Sequence, residues 1–159
     1  MKTVNFTTRS PAQELVTLMK NSNAVNDGVK FGDGSVKPVM RVRERGERIF
    51  ITCEMVGGAS RDNGFIVGTF FLGRVRERGG ETSVRGIILT APLFHLIMLS
   101  LIGVFIYQCI RLGGFSIIPV CIALFGFLLM KNEYKKQGII KRYIARAIRR
   151  LDEKEQSET

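Results

Sequence analysis

Hydrophobic and polar positions change their pattern several times along the chain. Residues 2–8 are rich in β-branched side chains, which is typical of a short strand. Ser10, Pro11 and Gln13 then form a capping-box pattern, and apolar residues up to Met19 recur at helical spacing. The chain is therefore predicted to begin with a strand followed by a helix.

Residues 31–89 show the alternation of apolar and polar positions that favours strands. The hexapeptide Arg-Val-Arg-Glu-Arg-Gly occurs at residues 41–46 and again at residues 74–79, and a β-rich run follows each copy. This predicts two β-hairpins that form one antiparallel meander. Val42 and Val75 are expected to face the core, and the arginines beside them to face outwards, which gives the sheet a basic surface.

Residues 92–130 form a long apolar stretch whose only charged residue is Arg111. Its first half, residues 92–110, makes about 28 Å of helix, which is close to the thickness of a hydrocarbon core. The second half, residues 115–130, is shorter. We predict a transmembrane helical hairpin, because a chain of 159 residues could hardly bury two helices that are apolar on every face.

Lys and Arg are abundant on both sides of this stretch, while its turn holds only Arg111. The positive-inside rule then predicts two spans with both termini cytoplasmic, in a multi-pass protein integral to the plasma (inner) membrane. Ser100 and Gly103 lie about as far from the turn as Ala123 and Gly126 do. Small residues let helices approach in lipid, so these four are expected to pack against each other.

The last part of the chain is predicted to be a basic amphipathic helix. Apolar positions recur at helical spacing from Ile139 to Leu151, with basic residues on the other side. The helix could lie in the headgroup layer, but we favour packing on the sheet, whose apolar face one short helix cannot cover. The predicted class is α+β, with a strand-helix-meander domain at 1–89, the hairpin at 90–131, the amphipathic helix at 132–152 and a disordered tail at 153–159.

The net charge of +10 restricts the expected partners. Anionic lipid headgroups or an acidic protein fit it best, whereas no nucleic acid is expected, since neither a recognisable motif nor a stacking face of aromatic and basic residues is evident. Formation of a homo-oligomer is left open by the sequence. The candidate contacts are Arg74, Arg76, Arg78, Lys135, Lys136, Arg142, Arg146, Arg149 and Arg150.

Few residues are candidates for catalysis or metal binding. The three cysteines form no disulfide or metal pattern, and His95 has no carboxylate near it in the predicted hairpin. Glu44, Glu47, Glu77 and Glu81 flank the predicted turns among arginines, which suits surface ion pairs. We therefore expect no enzyme activity, no catalytic residue, no cofactor and no metal.

Short glycine-strand motifs carry a resemblance to known proteins. The runs Phe31-Gly32-x-Gly34-x-Val36, Phe71-Leu72-Gly73-Arg74-Val75 and Gly80-Glu81-Thr82-Ser83-Val84-Arg85-Gly86 lead into the apolar hairpin. In this respect the chain resembles a loose set of small, uncharacterised two-helix membrane proteins of Gram-positive bacteria. The resemblance implies a bacterial inner-membrane location and supplies no activity, ligand or catalytic residue.

The pattern as a whole predicts a non-enzymatic, membrane-anchored binding or scaffold protein whose basic cytoplasmic domain contacts anionic lipid or an acidic partner. Two alternatives stay open. A small oligomeric pore or accessory transport subunit would need a polar line through the bilayer. A cytoplasmic ligand-binding domain would need a pocket under the last helix.

Overall fold

The computed structural model describes residues 2–26, 37–56, 68–90, 92–112 and 117–158. They form an α+β fold on a five-stranded antiparallel sheet, which confirms the predicted antiparallel strands. The elements in chain order are β1 (Lys2–Thr8), α1 (Ala12–Lys20), α2 (Ser22–Asn26), β2 (Lys37–Arg45), β3 (Arg48–Val56), β4 (Phe70–Arg78), β5 (Glu81–Leu89), α3 (Pro92–Leu112) and α4 (Ile117–Glu158).

The repeated hexapeptide forms equivalent parts of two hairpins. The sheet order is β1-β5-β4-β3-β2. Each copy of the hexapeptide forms the end of β2 or β4, and its glycine begins the two-residue turn that follows. Gly46, Gly79 and Gly80 have φ values of 60°, 60° and 79°, which tight hairpin turns require and glycine adopts without strain. Because β2 and β4 run in the same direction, both turns lie at one end of the sheet.

One face of the sheet is covered by helices. Ile51, Phe71 and Ile88 are fully buried on this face, against Leu15 of α1 and Ile144 of α4. Burial of each such side chain contributes roughly 1.5 to 3 kcal/mol. The hydroxyl of Tyr143 in α4 also donates to the carbonyl of Met19 in α1. The C-terminal part of α4 thus completes the core.

Two glycines in this face make room for a phenylalanine. Gly73 and Gly86 lie directly opposite each other on β4 and β5. A Cβ atom on either glycine would lie 2.6 Å from a ring carbon of Phe71, which is too close for any ordinary contact. The ring of Phe71 therefore packs over both glycines, which explains why two residues that weaken strands occur there.

The two long helices correct the prediction for residues 90–131. Within the described ranges, no helix combines the length and the apolar character needed to cross a membrane. In α4, charges begin at Lys131, before the roughly 20 apolar residues of a spanning helix have accumulated from Ile117. The predicted transmembrane hairpin and the multi-pass, inner-membrane location are therefore wrong.

Helix α4 is instead one continuous helix of 42 residues that leads from the pair with α3 into the core, across the boundaries predicted at 131 and 152. Its N-terminal part pairs with α3, where Gly126 faces the side chain of Met98. Several large apolar side chains of this pair are exposed, among them Leu99, Ile110, Leu124 and Phe127. The same helix therefore has one part in the core and one part outside it.

Candidate functional site

The face of the sheet opposite the core is covered by none of the described helices. Side chains alternate between the two faces along each strand, and the helices contact those on the core face. We call the other surface the open face. It comprises Thr3, Asn5 and Thr7 of β1, Glu81, Ser83, Arg85, Ile87 and Leu89 of β5, Phe70, Leu72, Arg74, Arg76 and Arg78 of β4, Arg48, Phe50, Thr52 and Glu54 of β3, and Val39, Arg41, Arg43 and Arg45 of β2.

Four arginines lie side by side across the open face. The strand register pairs Arg85 with Arg74, Arg74 with Arg48, and Arg48 with Arg45. We call these four residues the arginine row; at the usual spacing of strands it spans roughly 14 Å. Among the described residues, no carboxylate lies within ion-pair distance of any of the four. The row therefore concentrates positive charge along one line.

Further arginines extend this charge and act on a nearby carboxylate. Arg76 lies next to the row and contacts Glu47 at 2.6 Å. The pKa of Glu47 is lowered, chiefly because Arg76 donates a hydrogen bond to its carboxylate, and the charges of Arg74 and Arg78 add to the effect. The arginines at this end of the sheet thus favour the charged form of Glu47.

An apolar strip runs beside the arginine row. Phe50, Leu72 and Ile87 are directly opposite one another on β3, β4 and β5, each two residues along its strand from an arginine of the row. The ring of Phe70 lies next to that of Phe50, with centroids 5.2 Å apart and planes tilted by 40°. Leu72 is 46% exposed and both rings are half-buried. The open face therefore presents aromatic and basic groups in parallel lines.

The structure divides the predicted contact residues between two surfaces. Arg74 and Arg76 lie on the open face, and Arg78 lies at the exposed end of β4. The others belong to α4, which covers the opposite face of the sheet. In α4, Lys135, Arg142 and Arg149 are exposed, whereas Arg146 and Arg150 are half-buried. The predicted set is thus not one continuous surface.

Arg146 shows how the core constrains the cations of α4. Its guanidinium donates to the side-chain oxygen of Asn26 at 3.4 Å. The pKa of Arg146 is lowered, first because burial disfavours its charge and then because Arg142 and Arg150 are close. Its side chain therefore serves the junction of α4 with α2.

Lys136 belongs to a buried polar network and not to the surface. It is 8% exposed, and its ammonium contacts Glu133 at 2.6 Å. The second oxygen of Glu133 accepts a hydrogen bond from the backbone N–H of Thr69 at 2.8 Å, and Gln137 donates to Thr90 close by. We call these five residues the junction network, since they join α4 to the start of β4 and the end of β5.

Four residues were predicted to pack between the two helices. Among those whose side chains the structure describes, only Gly126 lies where α3 and α4 approach closely. A Cβ atom there would lie 2.8 Å from Cε of Met98, whereas one at Gly103 would meet nothing within 4 Å. Ser100 is exposed, and its hydroxyl donates to the carbonyl of Leu96 at 3.0 Å. The side chain of Ala123 lies outside the described residues.

A cavity of about 520 Å³ opens between α1, the turn from β2 to β3 and the end of β4, and not under the last helix. Its charged lining groups are largely engaged with each other: Lys20 contacts Glu44 at 2.8 Å, and Glu77 accepts from the backbone N–H of Ala12 at 3.1 Å. Among the described residues, no group of His, Cys, Asp and Glu could hold a metal ion. The open face is therefore the stronger candidate site.

Comparisons with known proteins give no assignment for this chain. No protein-family model, no curated protein and no solved structure matches it. The resemblance to small two-helix proteins of Gram-positive bacteria therefore stays a prediction. Function has to be inferred from the geometry of the open face.

Proposed function

We propose that the protein is a non-enzymatic binding protein that holds a polyanionic partner on the open face of its sheet. The observation that supports this most directly is the strand register of the arginine row. Like charges directly opposite each other destabilise a sheet. An anion bound along the row would offset this repulsion, so the arrangement costs stability without a partner and gains it with one.

The chemistry of the row suits phosphate or carboxylate groups. A guanidinium presents a planar set of donors that matches either anion with two parallel hydrogen bonds. The four groups extend in a line across four strands, so they fit a chain of anions better than one small ion. The hydrogen-bonded sheet holds their backbones in place, which lowers the ordering cost of binding.

The side chains of the open face favour binding over catalysis. They are arginines, hydroxyl-bearing and amide residues, apolar groups and two carboxylates, Glu54 and Glu81, with no histidine or cysteine among those described. His95 lies on α3, and Cys53 is buried in the core. Histidine and cysteine therefore lie elsewhere, and the carboxylate of Glu54 is paired with Arg41 at 3.0 Å.

The double variant Arg48→Gln/Arg74→Gln tests this proposal. Inorganic polyphosphate is expected to bind it about tenfold more weakly, since two charge-assisted contacts of somewhat under 1 kcal/mol each are lost. Isothermal titration calorimetry at fixed salt measures the effect. The matched control is Arg142→Gln/Arg149→Gln, which removes the same charge from the exposed side of α4 and should change affinity by less than about twofold. Equal losses in both variants would mean that only net charge matters.

A further inference from the structure

We infer that the polyanion is single-stranded nucleic acid, with its phosphates on the arginine row and its bases stacked on Phe50 and Phe70. This inference rests on the proposed function and adds the chemical class of the partner. It depends on the apolar strip, which an interaction with phosphate alone would not require. The combination of a basic track with stacking rings is how many proteins hold single strands without reading their sequence.

The spacing of the two lines fits one nucleotide. Phe50 follows Arg48 by two residues on β3, so the two side chains leave the same face from Cα atoms that are roughly 6.6 Å apart along the strand. A phosphate and the base attached to it are separated by a distance of this order. Phe70 on β4 continues the stacking surface, since its ring neighbours that of Phe50 at 5.2 Å.

The flatness of the site favours a single strand over a duplex. A duplex exposes its bases only at the floor of its grooves, which admit a helix or a two-stranded ribbon. The half-buried rings of Phe50 and Phe70 lie in the middle strands of a five-stranded sheet and could not reach them. In a single strand the bases are free to turn onto aromatic side chains.

An acidic polypeptide fits less of the surface. Its carboxylates would be satisfied by the arginine row, but they give no role to a pair of adjacent aromatic rings beside that row. Nucleobases give the rings a role, because every base has a flat face that stacks on phenylalanine whatever its identity. The observations therefore favour nucleic acid, contrary to the expectation from the sequence, in which the stacking face is not evident because Phe50 and Phe70 meet only in the folded sheet. Polyglutamate becomes the competing ligand in the test.

Fluorescence anisotropy with a labelled single-stranded oligouridylate of about 12 nucleotides tests the inference on the full chain. The wild-type protein should bind the oligonucleotide more tightly than a duplex of equal length. Phe50→Leu and Phe70→Leu keep an apolar side chain but remove the ring, so each should lower the affinity for the oligonucleotide at least about fivefold relative to that for polyphosphate. Phe50→Tyr, which keeps the ring, should retain more binding than Phe50→Leu.

Phe127→Leu is the matched control, because this phenylalanine is 66% exposed on α4, a helix that does not cover the open face. Equal affinity for duplex and single strand, oligonucleotide binding that does not depend on the two rings, or polyglutamate binding with the same dependence would each overturn the inference. If polyphosphate still binds through the arginine row in that case, the proposed function stands; if it does not, both fail. Should a leucine variant not fold, the comparison of single strand with duplex on the wild-type protein decides.

Discussion

Replacing Ile144 with aspartate is expected to destabilise the domain strongly. Ile144 is 0% exposed and lies in the core cluster between α4 and the sheet. A carboxylate at this position has to be buried without a partner or be protonated, and either way the loss of stability should exceed about 4 kcal/mol. A domain of this size has roughly 5 to 15 kcal/mol in total. Urea denaturation followed by circular dichroism measures the change.

Two controls separate packing from helix formation. Ile144→Val removes one methylene from the same site and should cost about 0.5 to 1.5 kcal/mol. Lys141→Asp introduces the same carboxylate at an exposed position of α4 and should change the free energy of unfolding by less than about 0.5 kcal/mol. A midpoint for Ile144→Asp that equals that of Lys141→Asp would contradict the packing of α4 on the sheet.

Replacing Glu133 with alanine is expected to cost about 2 to 3 kcal/mol of stability. Its carboxylate is the centre of the junction network: it contacts the ammonium of Lys136 at 2.6 Å and accepts from the N–H of Thr69 at 2.8 Å. Removing one member of a largely buried ion pair leaves the other charge poorly compensated. Chemical denaturation gives the loss, and hydrogen exchange at the Thr69 amide should accelerate more than at core amides.

The comparison with Glu133→Gln isolates the charge. Glutamine keeps an acceptor for the Thr69 amide, so it should lose less stability than alanine does. Glu14→Ala removes an exposed carboxylate from the first turn of α1 and should cost less than about 1 kcal/mol. If Glu133→Ala were no more harmful than Glu14→Ala, the junction network would not fix α4 on the sheet.

The strands were predictable because their signals are local. Arg41 to Gly46 and its repeat alternate in the way a half-buried strand does and end in the glycine that a tight turn requires. The apolar stretch was misread because its composition was taken to define two separate spans. The helix that starts at Ile117 passes the charges at Lys131 without a break, and its residues from Ile139 to Leu151 pack in the core.

The site could be predicted only in part, because its residues come together only through the pairing register of the strands. Arg74 and Arg76 were found from the repeat, but Arg48 and Arg85 lie outside it and join the row only through strand pairing. Phe50 and Phe70 are twenty positions apart in sequence, so no linear motif could place their rings together.

Burial was a second source of error in the predicted contact set. Lys136 was predicted to be a surface contact, whereas the turn of the helix directs its ammonium towards Glu133. The sequence does carry a signal for this ion pair, because Glu133 and Lys136 are three residues apart and such residues are neighbours on a helix.

The most direct measurement of the central claim is an NMR titration that follows the side-chain Nε–H signals of the arginines as polyphosphate is added. We expect the signals of Arg48, Arg74 and Arg85 to shift together and to saturate at one concentration, with those of Arg142 and Arg149 on α4 nearly unchanged. Shifts that are largest on α4, or equal across both surfaces, would contradict the assignment of the open face as the binding site.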